Sequence, residues 1–210
     1  MTSIKNIVLD YGGVIINLNY EATAIAFKEL GVTQFEEKFS QWKQLPIFDL
    51  LDKGKIEPEF FISQIKKALN LFCNDIEIVE AWNKMLLDIP VERIELLKKL
   101  KSNYPLFLLS NTNEIHLKAI GKYLVSTYGV DDISVFFNKA FYSCRCAMRK
   151  PDAEFYELVL NENGLKATET LFVDDTIQNI EAAKKLGFQT ILLRKEEELE
   201  AALKSFKIIC

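Results

Sequence analysis

Ile4-Lys5-Asn6-Ile7-Val8-Leu9-Asp10-Tyr11-Gly12-Gly13-Val14 decides the reading of this chain: a short apolar run ends on one carboxylate, and a glycine pair follows. The same pattern recurs twice. Leu106-Phe107-Leu108-Leu109 runs into Ser110-Asn111, and Leu171-Phe172-Val173 runs into Asp174-Asp175. Apolar runs this short read as strands buried on both faces of a parallel sheet. Ligands of such sheets bind outside the carboxyl ends of the strands. Lys150-Pro151, ahead of a predicted helix, adds a cation. A nucleophile, a hydroxyl, a fixed cation and an acid pair would then meet in one crevice, which suits phosphoryl chemistry.

Working outward, strand one spans Ile4 to Asp10. The segment from Asn19 to about Leu100 reads as a succession of helices, with Gly31, Pro58, Asn74 and Pro90 as its punctuation. After Tyr104-Pro105 the pattern alternates. Strands are expected at Leu106–Ser110, Lys139–Ser143, Leu171–Asp174 and Thr190–Leu193, and helices at Glu114–Leu124, Ala153–Asn163 (capped by Asp152), Ile177–Leu186 and Glu196–Phe206. Alternation of this kind gives a Rossmann-like α/β fold, a parallel sheet with helices on both faces. The helical block is then an inserted α-helical cap. The expected division is residues 1–16 with 101–210 as the core and 17–100 as the cap, placed to act as a lid.

The 210 residues hold one sizeable core and a small second lobe. A net charge of −4 gives no basic footprint for nucleic acid or anionic lipid. No apolar stretch approaches ~18 residues, and the N-terminus lacks the regions of a signal peptide, so a cytoplasmic protein without membrane partners is expected. Cys73, Cys144, Cys146 and Cys210 show no disulfide framework and read as reduced thiols. His116 is the single histidine, on a helix expected to lead away from the sheet, which argues against zinc and histidine-based catalysis.

Each group has a plain reading beside its chemical one. Asp10 either caps a turn or forms an aspartyl-phosphate. Gly12-Gly13 permit main chain to approach a ligand closely. Asp174-Asp175 either make a solvated helix cap or hold a cation, and magnesium suits one or two carboxylates plus waters and phosphate oxygens. Ser110-Asn111 opens a helix whose N-terminus is a ready anion site. Lys150 is either a surface lysine or a fixed cation for phosphate and nucleophile.

Taken together, Asp10-Tyr11-Gly12-Gly13-Val14, Ser110-Asn111-Thr112, Met148-Arg149-Lys150-Pro151-Asp152 and Phe172-Val173-Asp174-Asp175 with Asn179 beyond resemble the signatures of the haloacid dehalogenase-like hydrolase superfamily. The resemblance spans essentially the whole chain and is closest to its sugar-phosphatase branch, typified by α-D-glucose-1-phosphate phosphatases. It implies a magnesium-dependent phosphatase of a small phosphorylated metabolite. It makes Asp10 the nucleophile and a metal ligand, with Gly12 giving its carbonyl to the metal. Asp175 would be the direct carboxylate ligand and Asp174 would hold a metal-bound water. Ser110, Asn111 and Lys150 would grip the phosphoryl group. Gly12 departs from the usual pattern, since most phosphatases of this superfamily place a general acid there. That predicts a preference for esters whose leaving group needs little protonation, an anomeric sugar phosphate above a primary alkyl phosphate.

Two alternatives stand beside this reading. A 2-haloacid dehalogenase shares the fold, the nucleophile and the missing acid, but needs no metal, and its last signature lacks an acid pair. A catalytically weak binding or regulatory protein is kept open by Gly12. In the cap, Trp42, Phe48, Asp49, Asp52, Lys53 and Lys55 lie in the least regular stretch and are the candidates to meet substrate. Phe27, Phe35, Phe39, Phe60, Phe61 and Trp82 read as its core.

Overall fold

Strand β1 (Asn6–Leu9) forms because all four of its side chains find apolar or paired surroundings. Ile7 and Leu9 face one layer and Val8 the other, the period-2 alternation of a strand between two helical layers. In the computed structural model, which describes residues 3–32 and 46–208, β1 is the centre of a five-stranded parallel sheet of order β3-β2-β1-β4-β5. The others are β2 (Leu106–Ser110), β3 (Lys139–Tyr142), β4 (Thr170–Asp174) and β5 (Gln189–Leu192). The expected strands are all present, shifted by a residue or two at their ends.

Helices cover both faces. On the Ile7 side lie α5 (Val91–Asn103), α6 (Glu114–Tyr128) and α10 (Leu199–Ser205), contributing Leu97, Leu124 and Leu203 to one cluster. On the Val8 side lie α8 (Ala153–Asn163) and α9 (Ile177–Lys185), contributing Phe155, Tyr156 and Ile180. Between β3 and α8 sits a single helical turn, α7 (Ser143–Cys146).

The inserted block has its own apolar cluster. Helices α1 (Tyr20–Glu29), α2 (Pro46–Asp52), α3 (Pro58–Leu69) and α4 (Asp75–Asn83) bury Phe27, Phe48, Phe61 and Trp82 together. Phe48 stacks on Trp82 at 5.1 Å between ring centroids and meets Phe61 edge-on at 5.4 Å. Asn74 caps α4 through a reciprocal capping box with Glu77, as its position predicts.

Two expectations change. Phe48 is core, not a substrate contact, because Pro46–Asp52, within the stretch thought irregular, folds into α2. Phe60 is half-exposed instead of core. Trp42, Phe35, Phe39 and Cys210 lie outside the described residues. Helix α5 packs with the sheet through Ile94, Leu97 and Leu100. Among the described residues no helix is long and apolar enough to cross a membrane.

Candidate active site

Sheet register brings the chemistry together. Leu9 pairs with Val173 on one side and Leu108 on the other, and the Asp10 N–H donates to the Val173 carbonyl at 2.9 Å. Asp10 and Asp174 therefore end neighbouring strands at one level, with Ser110 at the end of β2 on the opposite side. The chain leaves β1 toward β2 and β3, then crosses back to β4. The crevice between β1 and β4 is the switch point where such sheets bind ligands.

Lys150 is 1% exposed and reaches into that crevice from the β3–α8 connection. Its Nζ lies 2.7 Å from Asp10 Oδ1 and 2.6 Å from Asp174 Oδ2. Asp174, itself wholly buried, also accepts from the Thr176 N–H at 2.8 Å and from Asn179 Nδ2 at 3.1 Å. Asp175 is less buried, and its Oδ1 accepts from Thr176 Oγ1 at 3.0 Å. Carboxylate oxygens of Asp10, Asp174 and Asp175 lie within 4.8 Å of one another.

Three carboxylates against one ammonium leave two negative charges in excess. The excess acts on the pKa values of the group. Burial first, then Asp174 and Asp175, push Asp10 up to about 8 despite Lys150 beside it. Asp175 is also raised, by burial and by Asp174. Burial alone would lower Lys150, but Asp10 and Asp174 together outweigh it and hold the ammonium above its ordinary value. A retained proton or a divalent cation removes the excess.

Main-chain geometry fits the cation. Gly13 has φ +70°, and a Cβ built on it would stand 2.3 Å from Asp175 Oδ2, so only glycine lets this carboxylate sit where it does. The turn is held by Gly13 N–H to Ile16 O at 2.9 Å and Ile16 N–H to Tyr11 O at 3.0 Å, and neither bond uses the Gly12 carbonyl. An all-oxygen donor set of this spacing suits a small hard cation.

Ser110 lines the cavity, and its hydroxyl makes no hydrogen bond within the described residues. The Asn111 side chain engages the neighbouring loop. Its amide donates to the Lys150 carbonyl at 2.8 Å and accepts from the Lys150 N–H at 2.8 Å, a two-point brace on the lysine's main chain. Asp152 makes no side-chain cap on α8; its carboxylate lies 3.3 Å from Lys53 Nζ.

The cavity, about 380 Å³, is shared by sheet ends and cap. Tyr20, Trp82, Met85 and Asp52 line it from the cap, with Asp10, Ser110, Lys150 and Asp175 from the sheet side. Arg149 joins them, its Nη1 lying 2.9 Å from Asp49 Oδ1. His116 also lines the cavity, against the expectation that its helix carries it away. Asn113 caps α6 through its side chain, so His116 falls in the first turn, still at the strand ends. That cap was the available signal for its placement, as Asn-x-x-His after a strand.

The family model for haloacid dehalogenase-like hydrolases matches residues 4–187. The chain belongs to that family. A D-ribitol-5-phosphate phosphatase of Bacteroides thetaiotaomicron is 29% identical over 187 residues, covering 89% of this chain and 90% of the relative. A sesquiterpene phosphatase of Aspergillus oryzae is 29% identical over 188 residues, covering 89% and 88%. Among solved structures, a HAD family enzyme of B. thetaiotaomicron in complex with magnesium and inorganic phosphate matches with TM-score 0.83 at 35% identity. The match covers 95% of this chain and 98% of that one.

Proposed function

We propose that the protein is a magnesium-dependent phosphatase of a small phosphorylated sugar or polyol, working through an aspartyl-phosphate on Asp10. The observation that carries this is the buried excess of negative charge at the β1/β4 crevice, with Gly13 leaving room for Asp175. Relatives named as phosphatases, and a structural neighbour holding magnesium and phosphate, support it.

In this reading Asp10, Asp175 and the Gly12 carbonyl would hold the metal, and Asp174, already bonded to Lys150, Thr176 and Asn179, would anchor its hydration shell. When bound, magnesium supplies charge stabilisation to the phosphoryl group. Asp10 attacks phosphorus and the P–O ester bond breaks, the departing oxygen taking a proton from water to leave as the alcohol; water then cleaves the acyl phosphate and restores the carboxylate. Lys150 and the Ser110 hydroxyl hold the transferring group, and Asn111 positions Lys150 through its main chain. The cap helices α1 to α4 close the site from water. The acid pair speaks against a dehalogenase, which has no metal to hold. The three described cysteines are free thiols, in keeping with the cytoplasm.

The test is turnover of p-nitrophenyl phosphate by chelator-treated protein before and after magnesium is restored. Activity should return with the metal, and Asp10→Asn should stay below a few per cent of wild type. Full activity without metal, or an active Asp10→Asn, sinks the mechanism.

A further inference from the structure

Besides the groups that face phosphate, the cavity contains a second polar set, His116 and Asp52. The His116 ring stacks on Trp82 at 5.3 Å and 10°, and its Nδ1 lies 2.8 Å from Asn83 Oδ1. An amide oxygen there places the ring proton on Nδ1, which leaves Nε2 as a bare acceptor. Nε2 makes no hydrogen bond within the described residues. Burial pushes the imidazole down to about 3, so it stays neutral at working pH. Asp52 is presented by the last turn of α2, with its side chain 13% exposed. Its Oδ1 accepts from Asn113 Nδ2 at 3.2 Å and its Oδ2 stands 4.0 Å from Arg149 Nη1. Asn113 serves both, because its Oδ1 also accepts from the His116 N–H at 3.1 Å.

We propose that His116 Nε2 and the Asp52 carboxyl bind hydroxyl groups of the substrate's alcohol part, so that the enzyme selects phosphorylated polyols and sugars over alkyl or terpenyl phosphates. This rests on the phosphatase reading above and deepens it. An acceptor lone pair lining a cavity needs a donor, from water or from the substrate that displaces it. A polyol chain carries donors along its length. A hydrocarbon chain carries none, and would strip water from both groups without replacing it. Sites built to hydrogen-bond a substrate hydroxyl reject analogues lacking it far more strongly than apolar pockets discriminate by size. Trp82, Met85 and Leu86, which line the same cavity, then serve as the apolar wall against which a carbon chain lies.

The measurement is kcat/KM with magnesium for a pentitol 5-phosphate and for n-pentyl phosphate, in wild type, His116→Phe, His116→Gln and Asp52→Asn. Phenylalanine keeps the stack on Trp82 and removes the acceptor. Glutamine keeps an acceptor in reach should the buried phenylalanine fail to fold. Wild type should favour the pentitol ester by about a hundredfold, and His116→Phe and Asp52→Asn should each narrow that ratio about tenfold, mainly through KM. His116→Gln should retain part of the preference. A ratio near one in wild type, or a ratio unmoved in the variants, overturns the inference. Magnesium-dependent turnover of p-nitrophenyl phosphate by wild type separates the cases. If it persists, the inference alone has failed; if it is absent, the phosphatase reading has failed and the inference with it.

Discussion

Replacing Gly13 by alanine isolates the contact that seats Asp175. Two costs follow. Placing a Cβ at φ +70° costs about 1–2 kcal/mol in any protein. For a chain of this length that lowers Tm by about 2–8 °C. The second cost is local: the new Cβ would lie 2.3 Å from Asp175 Oδ2 and 2.7 Å from its Cγ, where ordinary contact begins at 3.4 Å. The carboxylate must retreat by about 1 Å, a misplacement that costs about 10²-fold in rate at a positioned site. Magnesium half-saturation should rise by about 10- to 100-fold. Gly129 supplies the control, having the same φ of +70° and nothing within 4 Å of a built Cβ. Gly129→Ala should show the thermal loss and keep the wild-type magnesium response. The assay is activity against magnesium concentration, with a thermal melt of each variant. If Gly13→Ala and Gly129→Ala lose equal stability and share the wild-type magnesium curve, Asp175 is not the metal's carboxylate.

Three further outcomes are expected. Lys150→Met leaves Asp10 and Asp174 buried without their cation, and urea unfolding of metal-free protein near neutral pH should show a loss of about 3–5 kcal/mol. Asp10 has a folded pKa raised from 3.8 to about 8. Its contribution to metal-free stability is therefore fully present below about 4 and lost as pH rises toward 8, so the Tm gained on adding magnesium should grow across that window. Asp10→Asn, which cannot titrate, should flatten the metal-free trend. Gly12→Asp would set its Cβ 2.7 Å from Leu18 Cδ1, the movable end of that side chain; it should raise kcat/KM on a hexose 6-phosphate more than on the 1-phosphate. Equal effects on both esters would refute the leaving-group argument drawn from Gly12.

The sheet was legible because buried parallel strands declare themselves as short apolar runs, and because Asp10, Ser110 and Asp174 each close one. The brace from Asn111 to Lys150 was not, since nothing in the order of residues tells whether an amide faces a ligand or the neighbouring loop. His116 was misread for a similar reason: helix direction was inferred, but not how close its first turn stays to the strand ends. Helix α2 was missed because its burial depends on Phe61 and Trp82, which arrive from other helices.

Gly54 shows how the two lobes are joined, since a Cβ there would stand 1.9 Å from the Cys144 carbonyl oxygen, cap main chain lying directly on core main chain. Around it Lys53 meets Asp152, Arg149 meets Asp49, Asn113 meets Asp52, and Asn83 meets His116. Every one of these pairs takes one partner from each lobe. The two lobes therefore cannot be exchanged as modules: a cap transplanted onto a related core would arrive without the Asn113 that orients Asp52, and would leave His116 without the amide that fixes its ring proton. A chimera made at the lobe boundary should keep its fold and lose its discrimination. Recombination that preserves selectivity would have to carry residues 46–83 together with 111–116 and 144–152, three separate stretches of chain inherited as one unit.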